Sequence, residues 1–344
     1  MNQVKVGVIG VGRMGQRHCR VYSTLRNAQL VGVSDANIDG GRKVAAEYDV
    51  PFFRNVEDLL DNVDAVSLAT PTPLHFDLAM RCIEHGVHVL IEKPLADSLE
   101  QATKLTEAAE RSGLVVQVGH IERFNPVFVE LQNVLDDIKP IVVNMRRLSP
   151  YLGSNTDVDV VLDLMIHDID LALALGGGMP IKVNAYGLTA FSGVIDHAVV
   201  QLEFAGGLLT TMTASRITEQ KVRALEITAL DAYLEGDLMD KSISVHRRTT
   251  SEYQAHNHRG IKYRQESVVE RIYVPMVEPL VQELQHFLDA INKGEASVVP
   301  ARDGLQALQL ADQIRNLIHQ HMIDASPKAD AKAAPAPLEA IFAD

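Results

Sequence analysis

Short apolar segments rich in valine and isoleucine alternate with amphipathic segments along the first third of the chain. The apolar segments are VKVGVI, LVGVSD, DAVSLA, VHVLI and LVVQVG, and helical patterns such as SLEQATKLTEAAERSG lie between them. This alternation is typical of βαβ units, in which helices join parallel strands. We therefore predict that residues 1–120 form a Rossmann domain with a parallel sheet.

The pattern changes after Gly119, where strand-like segments begin to follow one another directly. A helical pattern from about Pro126 to Asp136 and the strand IVVNMRRL come first, and the long helical pattern VVLDLMIHDIDLALAL follows. The next apolar segments are IKVNAYGLTA, HAVVQLEF, LLTTMTAS, ALEITALDAYLEG, SISVHRR and VVERIYV. Consecutive strands joined by short turns pair antiparallel, and Gly206-Gly207 is a hairpin signal between two of them. The pattern predicts a large, mostly antiparallel open sheet.

Two further helical patterns, over 278–292 and 302–321, close the predicted second domain. We place this α+β domain at 121–322, after the Rossmann domain at 1–120, so the fold class is α/β. Two domains also suit a chain of 344 residues, because single hydrophobic cores stop growing at about 250–300 residues. The alanine- and proline-rich segment 323–344 is predicted to be a disordered tail.

Composition and charge exclude several classes of protein. A net charge of −13 argues against a partner made of nucleic acid, because binding phosphates requires a basic surface. The start of the chain lacks the pattern of a signal peptide, and no apolar segment reaches membrane-spanning length. Cys19 and Cys82 have no partners at the spacing of a metal or redox site. We expect a soluble, cytoplasmic protein with reduced cysteines, no metal and no membrane insertion.

A glycine-rich segment follows the first predicted strand and begins the first predicted helix. It reads Gly10-Val11-Gly12-Arg13-Met14-Gly15, which is the pattern of a dinucleotide-binding turn. Gly10 makes the turn, Gly12 lets a pyrophosphate approach the backbone, and Gly15 lets the helix pack on the strand. The N–H groups at the start of the helix then bind phosphates, with Arg13 and Met14 beside them.

An acidic residue occupies the position that dinucleotide-binding domains use for the adenosine ribose. Asp35 ends the second predicted strand, 20 positions beyond Gly15. Its carboxylate can accept hydrogen bonds from both ribose hydroxyls, and it repels a 2′-phosphate. We therefore predict NAD as the cofactor, in preference to NADP. Arg13 and Arg42 are the residues that would oppose this preference.

Three residues have the chemistry that oxidation of an alcohol requires. Lys93 stands at the carboxyl end of a predicted strand, where open α/β sheets bind ligands, and Pro94 biases its backbone away from helical angles. Asp163 and His167 are four positions apart on a predicted helix, so they share a face. A histidine can take a hydroxyl proton near neutral pH, and an aspartate can raise its basicity or bind substrate. The alternative for His167 is a buried histidine bonded to a carbonyl.

Together these motifs resemble the glucose-fructose oxidoreductase/inositol dehydrogenase (Gfo/Idh/MocA) family over residues 1 to about 322. The resemblance rests on the glycine fingerprint, Glu92-Lys93-Pro94, Asp163-Leu-Met-Ile-His167 and the closing segments EPLVQELQHFLDAI and GLQALQLADQI. It implies that Lys93, Asp163 and His167 are catalytic, and that the Lys93–Pro94 bond is often cis. It also implies cofactor contacts from the ends of two strands, namely Ala69, Thr70, Pro71, His75, Glu92 and Lys93.

A second set of motifs bears on the substrate. Within the family, Gly119-His120-Ile121-Glu122-Arg123-Phe124-Asn125-Pro126 and LDLMIHDID are most similar to the members that oxidise the 3-hydroxyl of UDP-N-acetylglucosamine in lipid A synthesis. This resemblance implies a nucleotide-sugar substrate, coupling to a PLP aminotransferase, and a homodimer or homotetramer. The expected substrate-binding residues are His120, Glu122, Arg123 and Asn125. Asn125 also has an ordinary interpretation as a helix N-cap before Pro126.

A diphosphate would require a local positive pocket in this acidic chain. Arg146, Arg147 and Arg216 lie at or just beyond predicted strands, where guanidinium groups could bind a diphosphate or simply be solvated. Because Arg146 and Arg147 are consecutive on a strand, they point to opposite faces, and Arg146 is our candidate for the substrate site. We assign Asp168 and Asp170 to the surface or to an interface.

Two other functions share many of these features. An NAD-dependent dehydrogenase of a free sugar or inositol would need no diphosphate site, but inositol dehydrogenases tend to carry a basic residue near the position of Glu122. A noncatalytic NAD-binding sensor would share the fold, because a fold does not fix function. The combination of Lys93, Asp163 and His167 argues against the sensor.

Overall fold

The computed structural model describes residues 3–151, 153, 157–248, 253–257, 260–264 and 267–325. These residues form a parallel sheet near the start of the chain, a larger mixed sheet after it, and helices that cover both. The predicted fold class is confirmed.

The first domain is a Rossmann domain. Its five strands are β1 (Val4–Ile9), β2 (Ala28–Ser34), β3 (Ala65–Leu68), β4 (His88–Glu92) and β5 (Val116–Gly119), in the spatial order β2-β1-β3-β4-β5 with every pair parallel. Its helices are α1 (Arg13–Tyr22), α2 (Ile38–Glu47), α3 (Val56–Leu60), α4 (His75–Glu84) and α5 (Leu99–Ser112). Because the strands are parallel, the segments that follow β1, β3, β4 and β5 all meet at one edge of the sheet.

Polar side chains begin two of these helices. The side chain of Asn37 accepts a hydrogen bond from the backbone N–H of Gly40 at the start of α2. Ser98 accepts one from the N–H of Gln101 at the start of α5. Such N-caps satisfy backbone donors that the helix itself leaves unused.

The second domain contains an eight-stranded sheet. Its strands are β6 (Val142–Leu148), β7 (Lys182–Leu188), β8 (His197–Glu203), β9 (Leu209–Ser215), β10 (Val222–Thr228), β11 (Ala232–Asp237), β12 (Ser242–Arg248) and β15 (Ser267–Ile272). A separate hairpin consists of β13 (Tyr253–Asn257) and β14 (Gly260–Arg264). The domain also contains the helices α6 (Pro126–Leu135) and α7 (Ile166–Gly176). The strand order is β15-β12-β11-β10-β6-β9-β8-β7, in which β6 and β9 are parallel and the other pairs are antiparallel. The predicted mostly antiparallel sheet is confirmed.

Two turns of the second sheet bear on the sequence predictions: one is the predicted hairpin, and the other divides a segment that was predicted to be a single strand. Gly207, with a φ of +85°, makes the turn between β8 and β9, as the Gly206-Gly207 pair predicted. The segment ALEITALDAYLEG, read as one strand, is two strands that turn at residues 229–231, where Ala229 N–H donates to the carbonyl of Ala232. The polar residue Asp231, which interrupts this apolar segment, is the sequence feature that could have indicated the turn.

The last two helices are α8 (Pro279–Lys293) and α9 (Ala301–Ala325). Helix α9 packs on both domains: Leu308 is buried in a core of the first domain, and Ile314 is buried in the core of the second. Leu280, Leu284 and Phe287 of α8 are buried in the Rossmann core. An amphipathic pattern does not say which sheet a helix covers, so the domain bounds 1–120 and 121–322 stay predictions. Residues 326–344 of the predicted tail lie outside the described residues, and no helix in the described ranges is long and apolar enough to span a membrane.

Candidate active site

The glycine-rich turn between β1 and α1 has the geometry of a dinucleotide-binding loop. Gly10 has a φ of +84°, and a Cβ on it would lie 2.8 Å from the backbone of Ala69. A Cβ on Gly15 would lie 1.9 Å from the carbonyl oxygen of Gly10, so the helix approaches the strand because this residue has no side chain. A Cβ on Gly12 would meet no atom within 4 Å, so a ligand has room to approach this backbone. The geometry agrees with the role predicted for each glycine.

The first turn of α1 carries Arg13 and Met14. The helix begins after Gly12, which offers no side-chain cap. The backbone N–H groups of an uncapped helix start remain available for a phosphate. Arg13 is exposed beside them, where its guanidinium can add to the binding of a pyrophosphate.

Asp35, directly after β2, faces the glycine loop. Its Oδ2 accepts a 2.7 Å hydrogen bond from the N–H of Val11, and its Oδ1 accepts a 2.7 Å bond from the N–H of Asn37. These bonds fix the carboxylate beside a cavity of about 360 Å³, which Gly12 and Lys43 also line. The residues present therefore fit the adenosine half of NAD, because the carboxylate is held where a ribose diol would reach it.

The segment after β3 approaches the glycine loop from the neighbouring strand. Ala69, Thr70 and Pro71 lie there, and the Thr70 methyl group would contact a Cβ on Gly10. His75 lies behind them with 1% of its surface exposed, and its two ring nitrogens are 2.9 Å from the carbonyl oxygens of Thr70 and Pro94. Both partners are acceptors, so a neutral imidazole donates to only one of them at a time, and His75 lies between the two segments. Its direct contact with the cofactor stays a prediction.

Glu92 points toward α1. Its Oε1 lies 3.0 Å from Nε2 of His18, whose side chain is fully buried. Burial by itself would raise the pKa of Glu92, but the hydrogen bond and charge of His18, with the charge of Lys93, lower it below its usual range. Glu92 is therefore an anion held between Lys93 and His18 of α1. His18, a polar residue on the buried face of α1, was missed by the sequence analysis.

Lys93 links the two domains at the edge of the sheet. Its ammonium donates a 2.8 Å hydrogen bond to the backbone carbonyl of Asp163, and its Nζ lies 4.0 Å from Oδ1 of the same residue. Burial lowers the pKa of Lys93, while the charges of Asp163 and Glu92 oppose this effect. The Lys93–Pro94 bond is cis, as the resemblance implied. A cavity of about 580 Å³ opens between the domains, lined by Lys93, Asp163 and residues such as Pro71.

Asp163 lies within a π-helical turn, whereas His167 lies in the α-helix that follows it. The turn spans Val161–Met165 and precedes α7, so the long helix predicted here is not a regular α-helix. Each π turn contains an additional residue, which rotates Asp163 relative to its expected face. Within the described parts of the chain no hydrogen bond joins the Asp163 and His167 side chains, and Asp163 lies toward Lys93 instead. The predicted pair is thus replaced by a lysine–aspartate contact.

His167 is suited to accept a proton. Burial, followed by the positive charges of Lys93 and Arg147, holds the pKa of its imidazole well below the ordinary value. The ring is therefore neutral at pH 7. Its Nδ1 is buried and has no hydrogen-bond partner among the residues that the structure describes, which argues against the alternative of a histidine bonded to a carbonyl.

His120, directly after β5, presents two unused nitrogens. Its ring is 1% exposed, and within the described ranges neither nitrogen has a hydrogen-bond partner. Burial lowers its pKa, so the ring is neutral. Buried polar atoms are nearly always satisfied, so a ligand with polar groups is the natural partner for His120 and for Nδ1 of His167. That His120 lines the substrate site stays a prediction.

A buried ion-pair network forms the wall beyond these histidines. Arg147 of β6 donates bonds of 2.7–3.0 Å to the carboxylate of Asp168 and a 2.8 Å bond to Oε1 of Glu122. Asn125 caps α6 through the N–H of Val127, and its amide donates to Glu122. Glu122 is thus held near the site, while the cap interpretation accounts for Asn125.

A second network accounts for Arg123. Its guanidinium donates to both oxygens of Asp170, at 2.8 and 3.0 Å, and to Asp303 at 3.1 Å. Asp168 and Asp170, which were assigned to the surface or to an interface, are not at the surface, since only 3% and 1% of their surfaces are exposed. Their arginine partners come from distant parts of the chain, which helix periodicity cannot reveal. These bonds use Nε and one terminal nitrogen of Arg123, and its contact with the substrate stays a prediction.

The remaining arginine predictions also change. Arg146 lies on the opposite face of β6 from Arg147, where it is exposed and donates to Glu226 at 2.8 Å. The structure does not bring Arg146 to the cleft. Arg216 is buried, donates to the carbonyl of Val158, and lies 3.7 Å from the carboxylate of Asp196.

The site defines the chain as an oxidoreductase with a nicotinamide dinucleotide cofactor. Residues 4–120 match the family model described as oxidoreductase family, NAD-binding Rossmann fold, and residues 144–235 match the GFO/IDH/MocA C-terminal domain. The chain belongs to the Gfo/Idh/MocA family. It is therefore an NAD-dependent dehydrogenase that acts on a CH–OH group.

Known proteins of this family are similar over nearly the whole chain. UDP-N-acetylglucosamine 3-dehydrogenase of Acidithiobacillus ferrooxidans is 33% identical over 92% of this chain and 97% of its own length. A solved structure of that enzyme, GnnA, superposes with a TM-score of 0.83 and covers 93% of this chain and 99% of its own. Inositol 2-dehydrogenase of Rhizobium meliloti is 27% identical over 93% of this chain and 98% of its own length.

Proposed function

We propose that this enzyme oxidises the 3-hydroxyl of UDP-N-acetylglucosamine to a ketone, with NAD as hydride acceptor. The observation that carries the proposal is the 33% identity to UDP-N-acetylglucosamine 3-dehydrogenase over 92% of the chain. The resemblance of GHIERFNP and LDLMIHDID, the segments that contain His120, Glu122 and His167, also supports the proposal. Residues on the cofactor side could not distinguish one sugar from another.

The chemistry follows from the protonation states in the cleft. NAD, when bound, accepts the hydride from C3 of the sugar. Neutral His167 takes the proton of the 3-hydroxyl, and the Lys93 ammonium stabilises the negative charge that develops on that oxygen. Asp163 holds Lys93 in place through its backbone carbonyl. The hydroxyl oxygen thus loses a proton to His167 and C3 loses a hydride to NAD, and the electrons of the broken O–H bond form the C=O bond of the ketone.

The alternative is oxidation of inositol or a free sugar. It is favoured by the 27% identity to inositol 2-dehydrogenase over 93% of the chain. Against it, Glu122 is a carboxylate tied to Arg147, at a position near which inositol dehydrogenases tend to have a basic residue. The two functions differ physically in whether the cleft must bind a diphosphate.

Our proposal extends to the setting of the reaction. A 3-keto sugar is the substrate that a PLP aminotransferase would convert to an amino sugar, and lipid A synthesis is the route that the resemblance implies. We propose a cytoplasmic enzyme, because Cys19 and Cys82 are unpaired and burial raises the pKa of both thiols to about 12. We also propose a homodimer or homotetramer, because the open sheet exposes Tyr186 and Leu209.

A substrate panel tests the proposal. Purified enzyme with NAD is given UDP-N-acetylglucosamine, UDP-glucose, N-acetylglucosamine and myo-inositol in separate reactions, with an aminotransferase added to remove the ketone. NADH formation should be fastest with UDP-N-acetylglucosamine. Reduction of NAD by myo-inositol or the free sugar, without reduction by the UDP sugar, would refute the proposal.

A further inference from the structure

Two arginines stand directly opposite each other in the second sheet. Arg147 of β6 and Arg223 of β10 are register partners in an antiparallel pair, so their side chains project from the same face. Like charges directly opposite each other destabilise a sheet. The sequence analysis did not single out Arg223, because the pairing of β6 with β10 joins segments 76 positions apart in the chain.

The two arginines differ in how their charges are balanced. Arg147 is bonded to the carboxylates of Asp168 and Glu122. The guanidinium of Arg223 donates instead to neutral oxygens: the carbonyls of Leu148 and Val222 and the hydroxyl of Ser149. In the described part of the chain Arg223 forms no ion pair, so its positive charge has no carboxylate partner in direct contact.

This charge lies close to the reacting groups. Burial, followed by the charge of Arg147, lowers the pKa of Arg223 to about 10, so it is still a cation at neutral pH. Its charge in turn contributes to the lowered pKa of His167. The charges of Asp168, Glu122 and Asp163 partly oppose the lowering of the pKa of Arg223, but among the described residues no carboxylate forms an ion pair with its guanidinium. Arg147 and Arg223 thus break the rule that like charges do not face each other across two strands, and such violations are expected at functional sites.

We propose that Arg223 binds the diphosphate of a sugar-nucleotide substrate. This inference rests on the proposed function and names the group that recognises the phosphates. A guanidinium presents paired N–H donors that match two phosphate oxygens, and a dianion would neutralise the charge that the protein leaves open. The diphosphate is attached at C1 of the sugar, near enough to C3 that one cleft can hold both groups. Arg146 and Arg216, considered earlier for this role, have carboxylate partners.

The test compares Arg223→Gln with the matched control Arg146→Gln, on the opposite face of the adjacent strand. Isothermal titration calorimetry measures the Kd of UDP, uridine and NAD for each protein. Arg223→Gln should raise the Kd of UDP about 10- to 100-fold, the usual range for loss of a hydrogen bond to a charged group. The Kd of uridine and of NAD should stay at the wild-type value, and Arg146→Gln should bind all three ligands normally.

A second variant guards against a folding defect. Arg223→Lys keeps the charge but loses the planar pair of donors, so its Kd for UDP should lie between those of the wild type and Arg223→Gln. UDP should raise the melting temperature of the wild type and fail to raise that of Arg223→Gln. The melting temperature of each unliganded variant is recorded as well, because Arg223→Gln loses both a like-charge contact and the hydrogen bonds to Leu148, Val222 and Ser149.

The outcomes separate this inference from the proposed function. If the wild type oxidises UDP-N-acetylglucosamine and Arg223→Gln has the same KM and the same Kd for UDP, the inference fails and the function stands. If the wild type oxidises no UDP sugar but binds UDP through Arg223, the function fails and the inference stands. A wild type that neither oxidises UDP sugars nor binds UDP would overturn both.

Discussion

The ammonium of Lys93 donates a 2.8 Å hydrogen bond to the backbone carbonyl of Asp163 and lies 4.0 Å from its carboxylate. Lys93 follows a strand of the Rossmann domain, whereas Asp163 belongs to the π-helical turn of the second domain. The contact therefore holds the two halves of the cleft in register. It also places a cation beside His167, where the reacting hydroxyl must lie.

Removal of Lys93 should impair chemistry more than cofactor binding. We expect Lys93→Ala to reduce kcat by about 10²- to 10⁴-fold, because it removes the charge that stabilises the alkoxide. The Kd of NAD should change little, since the glycine loop and Asp35 are intact. Steady-state kinetics and NAD titration measure both quantities, with Lys104→Ala of exposed α5 as control. Wild-type turnover in Lys93→Ala would remove this residue from the mechanism.

The pH profile should report His167 on its acid side. The base must be neutral to accept a proton, and its pKa lies below 6.5, so kcat/KM should hold its plateau at pH 7 and fall only below pH 6.5. On the alkaline side, the lowered pKa of Lys93 predicts a decline that begins below pH 10.5, as the ammonium loses its proton.

Replacement of Lys93 should also shift the acid limb of the pH profile. Lys93 is among the cations that lower the pKa of His167, so Lys93→Met should move the acid limb to higher pH. The pH profile of the variant is scaled to its own maximum, so its low activity does not prevent the measurement. An acid limb that stays in place would mean that the base is a group other than His167.

Asp35 should set the preference for NAD. Its carboxylate is fixed by the N–H groups of Val11 and Asn37, so it cannot turn away from a 2′-phosphate without breaking two hydrogen bonds. We expect the wild type to use NAD with at least about tenfold higher kcat/KM than NADP, as one unpaired charge contact costs more than 1.4 kcal/mol. Asp35→Ser should narrow this ratio. Equal efficiencies in the wild type would refute the role of Asp35.

Two glycines of the same loop should respond differently to alanine. A Cβ on Gly15 would lie 1.9 Å from the carbonyl oxygen of Gly10, so Gly15→Ala should destabilise the unliganded protein by about 3 kcal/mol or more. Gly12 has open space around its Cβ position, so Gly12→Ala should cost less than about 1 kcal/mol but weaken NAD binding. Thermal melting and NAD titration separate the two effects; equal melting temperatures for both variants would contradict the account.

The parts of the fold that could be predicted from sequence depend on neighbours in the chain. The glycine turn and Asp35 are specified by residues within a single βα unit, and the Rossmann domain followed from them. Apolar periodicity likewise located most strands of the second sheet. These features need no knowledge of how distant segments meet.

The parts that could not be predicted depend on pairing between distant segments. Asp168 and Asp170 looked like surface residues because their partners, Arg147 and Arg123, come from a separate strand and turn. The π turn rotated Asp163 away from the face that regular helical spacing assigned to it. Arg223 could be recognised as a candidate substrate-binding residue only from the strand register, which places it opposite Arg147.

Position-specific isotope transfer tests the proposed reaction most directly. The enzyme is incubated with NAD and UDP-N-acetylglucosamine that carries deuterium at C3, with substrate labelled at C4 as the control, and the NADH is analysed by mass spectrometry. Our account predicts deuterated NADH from the C3-labelled substrate and unlabelled NADH from the control. Unlabelled NADH from the C3-labelled substrate, or no reduction of NAD by either compound, would contradict it.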